Sequence, residues 1–149
     1  MRRNFESQAG LRALAAGRMG SVGLLALISL PGPVRADVVT DWNLTTLQAA
    51  AAAGLNPQRQ QRVAVMAHAA MHDAANSVAP QYEAYAVRVS PSGEASIEAA
   101  AVQAAYGVLI RLLHAQATML DAARSASLST IPDGPAKEEG LAVGEAVAG

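Results

Sequence analysis

The 149-residue chain has no cysteine, which excludes a disulfide framework and any thiolate metal site. It is also poor in aromatic residues: 3% of the chain, with one Trp, one Phe and three Tyr, although 52% of residues are hydrophobic. Alanine supplies much of that apolar fraction. Small side chains let helices approach closely but bury little area each, and burial stabilises by about 25 cal/mol per Å². The predicted core is therefore thin for the chain's length. Lysine occurs once, at Lys137, and no Gly-x-x-x-x-Gly-Lys or nucleophile motif is present. No apolar run approaches the roughly 20 residues that span a bilayer. The length suits one domain at most.

The formal net charge of −1 hides an asymmetry. Residues 1–36 hold five arginines against one acid, Glu6, whereas residues 37–149 hold six basic and eleven acidic residues, a net charge of −5. A mildly acidic body with scattered bases offers no patch for a phosphate backbone, so nucleic acid is not an expected partner.

The basic segment reads as an export signal. Arg2-Arg3-Asn4-Phe5 opens the chain, Val22 to Leu30 is a short apolar run, Pro31-Gly32-Pro33 breaks it, and Ala36 is a small residue suited to cleavage. Arg-Arg-x-Phe resembles a twin-arginine signal, a route for proteins exported already folded. The mature part, residues 37–149, is then periplasmic or secreted and has no stable membrane span.

Along that mature part, hydrophobic spacing predicts about five helices and no paired strands. The fold class expected is all-α, a partial helical bundle. Asp37 to Ala53 starts with a β-favouring Val38-Val39-Thr40 and passes into a helix capped by Thr40 or Asp41, with Trp42, Leu44 and Leu47 inward. Asn56-Pro57 launches the next helix, which runs to Val78. Val63, Ala67, Ala70, Ala74 and Val78 keep helical spacing, and Met66, Met71 and Ala75 widen that stripe until most of the circumference is apolar or small. Such a helix belongs in the middle of a bundle, with the others packed around it. A third helix is predicted from Glu94 to His114, capped by Ser92, with Ile97, Ala101, Ala104, Val108 and Leu112 as its stripe. Ala115 to Leu128 forms a fourth, with Met119, Leu120 and Ala123 inward. Thr130 to Pro135 is a strong turn, and Pro135 suits the first position of a fifth helix. That helix reaches Gly149 without a cap, so the face of Ala136–Gly149 is expected to meet a partner surface.

The polar line His68, His72 and Asp73 is the one cluster that looks like chemistry. His68 and His72, four apart, could both face one metal. Asp73 points about 100° away from His72, so it does not easily complete the set. The third histidine, His114, lies on another helix and could approach. A catalytic zinc wants three protein ligands and a structural one four. The alternative is that these groups satisfy neighbouring backbone or side chains. Pro91-Ser92-Gly93-Glu94 has the form of a phosphate cradle, but Glu94 would repel an anion there and Ser92 reads as a helix cap.

Three blocks stand out in order: Asp37-Val-Val-Thr-Asp-Trp-Asn43, Val65-Met-Ala-His-Ala-Ala-Met-His-Asp-Ala-Ala-Asn76, and Ile131-Pro-Asp-Gly-Pro-Ala-Lys-Glu-Glu-Gly-Leu-Ala-Val-Gly-Glu-Ala-Val147. Together they resemble the N-terminal region of bacterial vanadium-dependent haloperoxidase-like proteins, within the phosphatidic-acid-phosphatase/vanadium haloperoxidase superfamily. The resemblance spans essentially residues 37–149. It implies a helical enzyme that holds vanadate, or phosphate in the phosphatase relatives, and uses peroxide to oxidise a halide. In that family a Lys, two Arg, a Pro-Ser-Gly-His segment and a Ser-Arg-x-x-x-Gly-x-His segment hold the oxyanion, because cations and oriented amides stabilise its charge. This chain contains neither segment, and its Pro91-Ser92-Gly93 is followed by Glu94. His114 stands where a helix-breaking proline is expected in relatives. No catalytic or cofactor-binding residue transfers, so the resemblance implies an exported scaffold fragment, inactive alone, completed by a C-terminal half beyond Gly149. The alternatives are a free-standing helical interaction module, or a metal-binding one using His68, His72 and His114.

Overall fold

Asp37 opens the first helix: its carboxylate accepts the amide of Val39, and α1 runs Val38–Ala52 in a computed structural model that describes residues 37–149. The expected export signal, residues 1–36, lies outside the described residues. Val38-Val39-Thr40 is helical rather than extended, and the cap is Asp37, not Thr40 or Asp41. The carboxylate at the N-cap, three to four residues ahead of the alternatives, outweighs a weak β preference in three residues. At the far end Gly54 adopts φ 67°, and its amide and that of Leu55 return to Ala51 and Ala50. That closure needs a left-handed residue, which glycine supplies at little cost.

Asn56 then caps α2 (Pro57–Val78) by accepting the Arg59 amide at 3.0 Å, with Pro57 at the first position. The remaining helices are α3 (Ile97–Leu112), α4 (Ala117–Leu128) and α5 (Pro135–Ala148), with a short 3₁₀ turn, His114–Gln116, between α3 and α4. The described residues contain no strand, and the fold is all-α. No helix among them is long and apolar enough to cross a membrane.

The central helix is α3, not α2. Ala99 through Ala105, Gly107 and Leu109 are all buried, and α3 packs against α1, α2, α4 and α5. α2 instead leaves Val65 and Met66 exposed. The wide stripe of apolar and small residues points to α2, but the centre goes to the helix whose side chains are small enough to be approached from every side. Two core clusters result. One is built on Trp42, Met71, Leu109, Leu113 and Leu120; the other holds Ala70, Ala74, Ala100, Ala104 and Val143.

Other expectations need correction. α3 starts at Ile97, capped by Ser96, whose hydroxyl accepts the Ala99 amide at 3.1 Å; the Ser92 amide is instead taken by the Glu139 carboxylate. The Ser96 amide bonds to Ala136 O at 2.7 Å, so the start of α3 is set by α5. Leu44, Leu47, Met66, Ile97, Leu112 and Met119, all expected inward, are exposed. α5 turns its Gly140, Val143 and Gly144 face into α3, so that face of Ala136–Gly149 is covered within the chain.

Candidate functional site

The polar line of α2 holds a loop. Asp73, 2% exposed, accepts the amides of Tyr85, Ala86 and Val87 at 2.6, 2.7 and 2.8 Å. Asn76 Oδ1 accepts from Gln81 and Tyr82, and its amide donates to Tyr82 O at 2.7 Å; Ser77 Oγ accepts from Val89 at 3.0 Å. Burial alone would raise the Asp73 carboxyl, but the amides of Val87, Tyr85 and Ala86, aided by His72, outweigh it and hold it below its ordinary 3.8. A carboxylate saturated by three amides is a structural anchor, not a base or a ligand.

The histidines are occupied as well. His68 Nε2 lies 3.0 Å from Asn43 Oδ1, and His72 Nε2 donates to Glu83 O at 3.2 Å. A carbonyl can only accept, so in this contact His72 donates from Nε2 and only Nδ1 is left with a lone pair. His114 sits at the exposed start of the 3₁₀ turn after α3. Among the described residues no group of three or more His, Cys, Asp or Glu is arranged to hold a metal. His68 and His72 do share a cleft of about 390 Å³ with Val39, Met71, Tyr82 and Ile97.

A second polar network, unforeseen in the sequence, joins α3, α4 and α5. Gln103, buried, donates to Glu145 Oε2 at 2.8 Å and accepts from Arg124 Nε at 2.7 Å. Arg111 pairs with Glu145 Oε1 at 2.9 Å and donates to the carbonyls of Gly107 and Ala148. The Arg124 guanidinium lies 5.1 Å from the centre of the Tyr106 ring, and the Tyr106 hydroxyl donates to Asp121 at 2.7 Å. That bond to Asp121, with burial, raises the Tyr106 pKa; the bond from Gln103, then Arg111, outweighs burial and lowers Glu145. Its side chain–side chain bonds join residues 15 to 42 positions apart, and only the fold brings them together.

Lys137 reaches Leu128 O, Ile131 O and Asp133 Oδ1 at 2.7, 3.2 and 2.8 Å, tying the end of α4 to the turn before α5. Beside it opens the larger cleft, about 800 Å³, with Asp37, Asp41 and Glu98 on its wall. Three carboxylates repel an oxyanion, and the adjacent lysine is already committed to oxygens. Lys137, Arg111 and Arg124 are thus all spent on internal partners, so they form no oxyanion cradle. In comparisons with known proteins, the chain matches no family model, no curated protein and no solved structure.

Proposed function

We propose that residues 37–149 are the helical scaffold of an exported, vanadium-dependent haloperoxidase-like enzyme, whose vanadate-holding residues come from a polypeptide segment other than these helices. One observation carries the reading: each of the three resembling blocks is spent on architecture. The first caps α1 and delivers Trp42, 1% exposed, into the larger core cluster. The second supplies Asp73 and Asn76, which hold the loop after α2. The third forms the Lys137-bound turn and the glycine face of α5. A wall built this way fixes distances for a site without touching the oxyanion. In relatives of this kind the oxyanion's charge is met by cations and oriented amides.

The test has two arms. The purified chain, given orthovanadate, peroxide and bromide, is expected to show no halide oxidation above background. The DNA beyond codon 149 is expected to encode, in some frame, Ser-Arg-x-x-x-Gly-x-His. Turnover by the isolated chain would overturn the scaffold role, and unrelated downstream sequence would overturn the family assignment.

A further inference from the structure

The outer side of the α1–α2 hairpin is a face of fixed register, with a groove at one end lined by Val39, His68, His72, Tyr82 and Ile97. Asn43 and His68 meet at 3.0 Å, and the helices run antiparallel through a four-residue link. One helical turn from that pair towards the link lie Leu47 and Val65, 42% and 58% exposed. One turn the other way lie Val39 and His72, and the groove closes there on Tyr82 and Ile97; Val39, Tyr82 and Ile97 are 38%, 68% and 41% exposed. Two apolar ends thus flank a polar middle whose hydrogen bonds are already made. The charges are polar in the other sense: Arg62 lies one turn beyond Val65, without an ion-pair partner among the described residues, and Glu83 follows Tyr82 at the opposite end.

From this pattern we infer that this face is the interface of a two-fold homodimer, with a second copy of this chain as its occupant. A two-fold axis through the middle lays the Leu47–Val65 end of one copy on the Val39–Tyr82–Ile97 end of the other. The same operation brings Arg62 to Glu83 twice, because a two-fold interface uses one patch against itself. The inference does not depend on the haloperoxidase reading.

Light scattering on the full chain, from about 1 to 100 µM, tests it, a range that reads micromolar affinity. A concentration-dependent dimer is expected for the wild type. Val65→Glu should abolish it, whereas Leu112→Glu, exposed elsewhere, should leave it intact. Arg62→Glu should weaken it at least tenfold, and Arg62→Glu combined with Glu83→Arg should restore it. Circular dichroism melts confirm that each variant is folded. A monomer at every concentration overturns the inference and leaves this face to a different polypeptide. A dimer indifferent to Val65→Glu, or a charge swap that fails to rescue, overturns it too.

Discussion

The seam between α3 and α5 and the junction between α2 and its following loop hold together by opposite means. In the seam, contact depends on what is missing from the side chains. A methyl group at Gly140 would stand 2.5 Å from Ser96 O, one at Gly107 2.6 Å from Ala148 Cβ, and one at Gly144 would meet the Ala100 carbonyl. Backbone therefore lies against backbone, and dispersion over many close atoms replaces the large side chains the chain lacks. At the loop junction the contact depends on side chains being present: Asp73, Asn76 and Ser77 accept the amides of Gln81, Tyr82, Tyr85, Ala86, Val87 and Val89. A shape-defined contact fails when an atom is added. A hydrogen-bonded one fails when an atom is removed.

That contrast orders three outcomes. The largest is expected for Gly144→Leu, which drives a side chain into α3 backbone that cannot move aside; a loss of about 3 kcal/mol or more, read by denaturant unfolding, follows from overpacking. An unchanged midpoint would show that the seam has slack. Asp73→Ala should come next, at about 2–3 kcal/mol, because three amides lose their acceptor at once. Here pH sharpens the comparison. Because the folded pKa of Asp73 lies below its ordinary 3.8, the anchor's contribution is complete above that value and is lost as pH falls through the lower folded one. The variant should lack this acid-dependent step, while Gly144→Leu should keep it. The smallest change is expected for Lys137→Met, about 1 kcal/mol, since it removes a cation from the carbonyls of Leu128 and Ile131 near the surface. A thermal melt against the wild type measures it.

What was legible in the sequence was local. Asn56-Pro57 and Gly134-Pro135 mark helix starts through their own backbone chemistry, and Trp42 is large and apolar enough to demand a core. The all-α class follows from many such local signals. The centre of the bundle is misread from the apolar stripe of α2, because α3 is the more hydrophobic helix and the one with the smaller cross-section. Ser92 looks like the cap in the sequence, and the Ser96–Ala136 bond that helps move the helix start to Ser96 joins residues forty positions apart. That the polar line of α2 would satisfy its neighbours was readable, since Asp and His on a crowded helix need partners. Which neighbours, and the whole Gln103–Glu145–Arg111 network, depend on packing that no spacing reveals.

The three-amide anchor at Asp73 bears on how this molecule opens. Tyr85, Ala86 and Val87 all bond to one carboxylate, so their deuterium uptake should be one event rather than three. Freeing that stretch means breaking the last turns of α2 or protonating a single side chain. The segment after α2 thus behaves as an extension of the helix rather than as a separate strap.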